Sequence, residues 1–157
     1  SGKTTLIMCI SNNFIGNTFN SNIRRKDTSL MEIGSSPSLM PELSLLENIK
    51  YFLFNDNINE KMITNVLNKY ELESFKSDLV RDFSSGMIKR SEIAIADLKN
   101  PKVLCIDEPR VYLDENGVDL LLNLITKREK EGSTSILSSQ ESIGAFTSIE
   151  RSFNLND

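Results

Sequence analysis

Residues 83–109 read FSSGMIKRSEIAIADLKNPKVLCIDEP, and the order of parts in this stretch decides the fold. Ser84, Ser85 and Gly86 open a helix: serine is a favoured N-cap, and small residues leave the N–H groups of the first turn open to an anion. Ile88, Ile95, Ala96 and Leu98 are the core candidates of that helix. Asn100 and Pro101 then turn the chain. Residues 103–106 form a short apolar run ending in Asp107 and Glu108, which reads as a buried parallel strand. Two carboxylates at the end of such a strand are costly unless they meet a cation or water. Taken alone, the acidic pair is also readable as a strand end with solvated acids, and Ser84 as an ordinary helix cap.

Working outward, the chain opens SGKTTL at residues 1–6. This matches the closing half of the phosphate-binding pattern G-x-x-x-x-G-K-[ST], so the first glycine is expected upstream of Ser1 and the chain is expected to be a piece of a longer one. In such a loop the backbone from Ser1 through Gly2 to Thr5 cradles phosphate oxygens, helped by the N-terminus of the helix that follows. Lys3 can reach the β- and γ-phosphates of a bound nucleotide, and the Thr4 hydroxyl can ligate Mg²⁺. A Ser/Thr-rich helix start is the plainer reading of SGKTT by itself. Beside it, Asp107 is expected in the Mg²⁺ shell, and Glu108 as the general base that polarises an attacking water.

The remaining pattern is that of an α/β protein. A helix begins at Thr4; residues 11–30 are Asn- and Ser-rich without a sustained period and read as loops; a short strand follows near 31–34. Ser44 and Glu47 have capping-box spacing before LLENIKYFLF. A helix over 59–70 carries Met62, Ile63, Val66 and Leu67 on one face, and one over 114–131 carries Val118, Leu121, Leu122 and Ile125, with Gly132 as its stop. Residues 134–138 read as a second buried strand, 142–148 as a short helix and 151–155 as a last strand. Alternating strands and helices imply a mainly parallel sheet with right-handed crossovers.

Composition narrows the function. Of 157 residues, 39% are hydrophobic and 25% charged, an ordinary globular balance for one domain. The net charge of −4 argues against a nucleic-acid backbone as partner. No apolar run reaches membrane-spanning length. Cys9 and Cys105 lie in apolar stretches and read as buried reduced thiols.

With these motifs in order, the chain resembles the ATP-binding subunits of ABC transporters over nearly its whole length. SGKTTL looks like the phosphate-binding loop, Phe83, Ser84, Ser85, Gly86 and Met87 like the family signature Leu-Ser-Gly-Gly-Gln, VLCIDEP like the acidic strand, and Val111, Tyr112, Leu113 and Asp114 like the loop after it. Within the family, residues 33–52 and 115–142 are similar to the heme-exporter ATPases of cytochrome c maturation (CcmA). The resemblance implies a P-loop core over 1–157 that lacks N-terminal strands, with a helical subdomain over about 44–100 inserted in it. It implies ATP and Mg²⁺ as ligands and a homodimer in which Ser84 and Gly86 meet the γ-phosphate held by the other subunit. It further implies transmembrane subunits as partners, on the inner face of a bacterial or mitochondrial inner membrane.

Departures from the family pattern also stand out. Ser36 occupies the place of a hinge glutamine, Gln140 that of a switch histidine, Ser85 that of a glycine and Met87 that of a glutamine. Gln140 can donate a hydrogen bond to a phosphate oxygen but cannot titrate. ATP binding with slow hydrolysis is the expectation. A degenerate binding subunit and a non-transport ABC ATPase are the alternatives.

Overall fold

The computed structural model describes residues 2–11 and 29–140, apart from the side chains of Cys9 and Ser11. The expected helix at 142–148 and strand at 151–155 lie outside these residues. Two compact units divide the chain: one formed by Ser1–Ser35, Pro101–Pro109 and Ile125–Asp157, the other by Ser36–Asn100 and Arg110–Leu124.

The first unit is built on a parallel sheet of three strands, β1 (Leu30–Ile33), β2 (Val103–Asp107) and β3 (Thr134–Ser138), with β2 in the middle. The register pairs Ile33 with Ile106, and Asp107 with Ser138. Leu104, Cys105, Ile106 and Asp107 are all buried, as the unbroken apolar run requires of a strand hydrogen-bonded on both edges and covered on its faces. Burial, and secondarily Glu32, push the Cys105 thiol up to about 11, so it stays an inert, protonated core group. Helix α1 (Lys3–Ser11) packs on all three strands, and its Ile7 is buried.

Arg128 closes the other end of this unit. Its side chain is fully buried, and its guanidinium donates to the carbonyls of Pro101 at 2.8 Å and Thr134 at 3.0 Å and to the Ser135 hydroxyl at 3.2 Å. A buried guanidinium is tolerable only with its donors satisfied in this way. It sits on helix α5 (Glu115–Lys130). The buried positions of α5 are Gly117, Val118, Leu121, Leu124 and Arg128; the expected Leu122 and Ile125 are only half-buried, so the inward stripe lies rotated from the one the apolar pattern suggests. Gly132 ends the helix at φ +70°, with Gly132 N–H donating to Glu129 O and Ser133 N–H to Arg128 O, both at 2.9 Å. This pair of bonds is the Schellman closure, and it needs the left-handed residue that glycine supplies.

The second unit is helical: α2 (Leu45–Phe52), α3 (Glu60–Lys69) and α4 (Ser85–Lys99), with two single 3₁₀ turns at Glu73–Phe75 and Val80–Asp82. Ser44 and Glu47 form the capping box reciprocally at the start of α2. On α3 the inward stripe is Ile63, Leu67 and the following Tyr70. Met62 is exposed and Val66 half-buried, which corrects the expected face. Helix α4 is buried from Ser91 to Leu98 on all sides, while Ile88 nearer its start is only half-buried. Its polar residues are therefore partnered: Asp97 accepts from Lys69 Nζ at 2.7 Å and from the Tyr70 hydroxyl at 3.2 Å. Among the described residues no helix is long and apolar enough to cross a membrane.

Candidate functional site

In the first unit, α1 starts immediately after Gly2, whose φ of +75° is the left-handed backbone that glycine adopts without steric cost. Its carbonyl accepts from Leu6 N–H at 2.9 Å, so the helix hydrogen bonding begins at Gly2 itself. Lys3 and Thr4 are the first two residues of α1 and Thr5, the third, is exposed. Ser1 lies outside the described residues. The helix start thereby faces the end of β2: Thr4 Oγ1 donates to Asp107 Oδ2 at 2.8 Å.

Asp107 is 1% exposed. Its second oxygen, Oδ1, accepts from the Ser138 hydroxyl on β3, the residue that the parallel register sets beside it. Glu108 follows with φ +49°, an uncommon conformation for a residue with a Cβ. Its N–H donates to Ser138 O at 2.9 Å, which holds the turn, and its carboxylate is presented to the segment after β3. There Glu108 Oε1 accepts from the backbone N–H of Gln140 at 3.1 Å and Oε2 from the Ser139 hydroxyl at 3.4 Å. Gln140 itself is exposed. Backbone strain of this kind persists where surrounding contacts fix it, and it concentrates at functional positions.

The chemistry of these donors suits a hard divalent cation. Thr4 offers a hydroxyl and Asp107 a carboxylate, and Mg²⁺ takes few protein oxygens, filling the rest of its shell with water and phosphate. Among the described residues no group of three or more His, Cys, Asp or Glu could hold a metal alone, so these residues fit a cation that arrives with a phosphate. The glycine turn and helix start beside them supply N–H donors for that phosphate.

In the second unit, Ser84 is the N-cap of α4, its Oγ accepting from Met87 N–H at 3.2 Å. A hydroxyl that accepts in this way retains its proton for a second partner. Ser85 is exposed and Gly86 half-buried at the helix start. A Cβ on Gly86 would stand 3.0 Å from the carbonyl oxygen of Tyr112, so a side chain there would press this loop back by a few tenths of an ångström, and glycine allows the close approach. Tyr112 is itself left-handed at φ +68° and 61% exposed. Ser36 is exposed in the loop before α2.

Reading the sequence missed Ser138 and Ser139, because their roles depend on a strand register that only the fold supplies. It also missed the left-handed backbone at Glu108 and Tyr112, for which no residue-type signal exists.

Comparison with known proteins gives the family. The model of the ABC transporter family matches residues 1–111. The lantibiotic transport ATP-binding protein SrtF of Streptococcus pyogenes is 35% identical over 148 residues, which span 88% of this chain and 63% of that protein. The cytochrome c biogenesis ATP-binding export protein CcmA of Reclinomonas americana is 31% identical over 150 residues, spanning 88% of this chain and 67% of that protein. Other relatives are named for L-arabinose transport and for lipoprotein release. Among solved structures, a dimeric ATP-binding cassette in a post-hydrolysis state, bound to ADP and Pi, superposes with a TM-score of 0.71 at 22% identity, over 89% of this chain and 70% of that one. That likeness shows the shared fold. The chain spans less than two thirds of the length of SrtF. The matched span contains SGKTT, the small-residue start of α4 and VLCIDEP, and the chain belongs to the ABC transporter family.

Proposed function

We propose that this chain forms the ATP-binding and hydrolysing part of a transporter's ATPase subunit, with Mg²⁺ as cofactor. The observation that carries the reading is the 2.8 Å bond from Thr4 to Asp107, which brings the helix start after Gly2 and Lys3 to the acidic strand end. Lys3 and the N–H groups around Gly2 bind the β- and γ-phosphates, and Thr4 and Asp107 hold the cation. When bound, Mg²⁺ neutralises charge on the phosphate oxygens. Glu108, fixed by Gln140 N–H and Ser139, takes the proton from the water whose oxygen attacks the γ-phosphorus as the bond to the bridging oxygen breaks. Gln140 offers its side-chain amide to a phosphate oxygen.

In this reading the subunit works as a homodimer, with Ser84, Ser85 and Gly86 of one copy meeting the nucleotide of the other. The helical subdomain over about 44–100 docks transmembrane subunits on the inner face of the membrane. Ser36, Ser85, Met87 and Gln140 support slow turnover. Ser36 is too short to make a hinge glutamine's contact, Met87 lacks a glutamine's polar contact, Ser85 crowds the anion site and Gln140 cannot titrate. The loss of one preorganised donor can lower a rate by roughly 10²–10³. Binding of ATP with Mg²⁺ to the full-length chain, followed by steady-state hydrolysis with its membrane partner, tests this. Absence of nucleotide binding would refute it, and fast turnover would refute the slow-hydrolysis part.

For cargo, heme export in cytochrome c maturation is the reading supported by the CcmA relative at 31% identity. A lantibiotic cargo is the second, favoured by the SrtF relative at 35% identity. Stimulation of ATP turnover in the reconstituted complex by heme or by a lantibiotic peptide separates them.

A further inference from the structure

We propose that Glu92 is a positioning residue that fastens the loop at residues 36–41 to helix α4. Glu92 lies in the middle of α4 and is 1% exposed. One oxygen of its carboxylate, Oε1, accepts from both the N–H of Ser38 at 2.8 Å and the hydroxyl of Ser38 at 2.9 Å. Ser38 is an exposed residue outside any helix or strand. Its main chain is thus held by a buried group reaching out from the helix.

The loop is pinned at a second point. Met40 N–H donates to Asn48 Oδ1 at 2.8 Å, and Asn48 Nδ2 returns a bond to Met40 O at 3.0 Å. Asn48 is fully buried on α2. Pro37 and Pro41 stiffen the chain on either side of these contacts. Ser36, one residue before Pro37, is carried by a segment tied to α4 through Glu92 and to α2 through Asn48.

The position of Glu92 gives the tie its consequence. Residue 92 is about 12 Å along the same uninterrupted helix from the Ser84 cap. A helix of this length moves as one piece, so the loop and the small-residue helix start are mechanically joined. A buried carboxylate is a costly way to make such a joint, and it is tolerated only when hydrogen-bonded. Burial pushes the Glu92 carboxyl above its ordinary value, and the two Ser38 bonds and Lys89, one turn earlier and itself 4% exposed, offset this only in part. The joint stands on geometry; its part in the nucleotide cycle rests on the proposed function.

Amide hydrogen exchange on the full-length chain tests the joint without reference to activity. In the wild type, Ser38 N–H should exchange at least about tenfold more slowly than in an unstructured peptide. Glu92→Ala should remove that protection while the amides of α4 remain protected, and Glu92→Gln, which keeps an acceptor, should retain it. Unprotected Ser38 in the wild type, or protection unchanged in Glu92→Ala, would overturn the joint. If Glu92→Ala does not fold, the wild-type and Glu92→Gln amides still decide. For the role in the cycle, Glu92→Ala should lower kcat several-fold with ATP affinity unchanged, and Glu92→Gln should recover it. Equal kcat in wild type and Glu92→Ala would reduce Glu92 to a structural residue and overturn the positioning role. A wild type that binds no ATP would refute the proposed function, and the exchange measurement would still judge the joint.

Discussion

The backbone N–H of Gln140 donates to Glu108 Oε1 at 3.1 Å, so the expected base and the expected switch residue are neighbours joined through main chain. A main-chain donor is indifferent to the side chain at 140, which leaves the amide of Gln140 free to serve a second partner. Replacing Glu108 by Gln keeps an acceptor at Oε1 and removes the ability to take a proton. Turnover should fall by about 10²–10⁴-fold while ATP affinity is retained. Hydrolysis and nucleotide retention measured on the same Glu108→Gln preparation check this; unaltered turnover would remove Glu108 from the base role.

Thr4 and Asp107 make a separate prediction about the cation. Asp107→Asn retains shape and removes the charge next to Thr4. The gain in nucleotide affinity on adding Mg²⁺ should shrink by about 10–100-fold, whereas affinity without Mg²⁺ should change little. Titration calorimetry with and without the metal reads the difference. An equal Mg²⁺ effect in both proteins would place the cation elsewhere.

Gly86→Ala tests the contact between the helix start and the loop at Tyr112. The added Cβ would lie 3.0 Å from a backbone oxygen rather than from a flexible side-chain tip. Overpacking of this type costs about 1–3 kcal/mol, to be measured by urea denaturation. Wild-type stability in the variant would mean that the loop moves aside freely.

How much of this was legible beforehand depended on whether a feature was local. The capping box at Ser44 and Glu47, the cap at Ser84, the stop at Gly132 and the buried strand ending in Asp107 are each specified within a few residues, and each stands where expected. On α3 Ile63 and Leu67, and on α5 Val118 and Leu121, are buried as expected, whereas Met62, Val66, Leu122 and Ile125 are not, because apolar side chains alone do not fix helix rotation. On α5 the deciding residue is Arg128, a cation whose buried place depends on carbonyls from Pro101 and Thr134. Ser138 became part of the site only through its pairing with Asp107, and Glu92 only through Ser38, contacts that no spacing rule announces.

Arg128 should be among the least replaceable residues of the first unit. Arg128→Met fills similar volume but leaves the Pro101 and Thr134 carbonyls without this donor. The Pro101 bond is buried, and a buried acceptor left unpaired costs about 1–3 kcal/mol; the part-buried Thr134 carbonyl adds less. The loss should appear as a lower denaturation midpoint. A variant as stable as the wild type would show that water replaces the guanidinium.

Glu92 predicts a pH dependence of stability. Burial raises its carboxyl above the ordinary value of 4.5, against the lowering effects of the Ser38 N–H, the Ser38 hydroxyl and Lys89. The folded form therefore binds this proton more tightly than the unfolded chain does. Its contribution to stability is fully present below 4.5 and is lost as pH rises through the higher folded value. In Glu92→Gln nothing titrates at this position, so the stability difference between wild type and variant should shift against the wild type as pH climbs from 4.5, then level off. Urea denaturation of both proteins across pH 4 to 8 gives the difference curve. A difference that moves in favour of the wild type over that climb would mean that the Ser38 bonds and Lys89 outweigh burial, and that Glu92 is held charged at all these pH values.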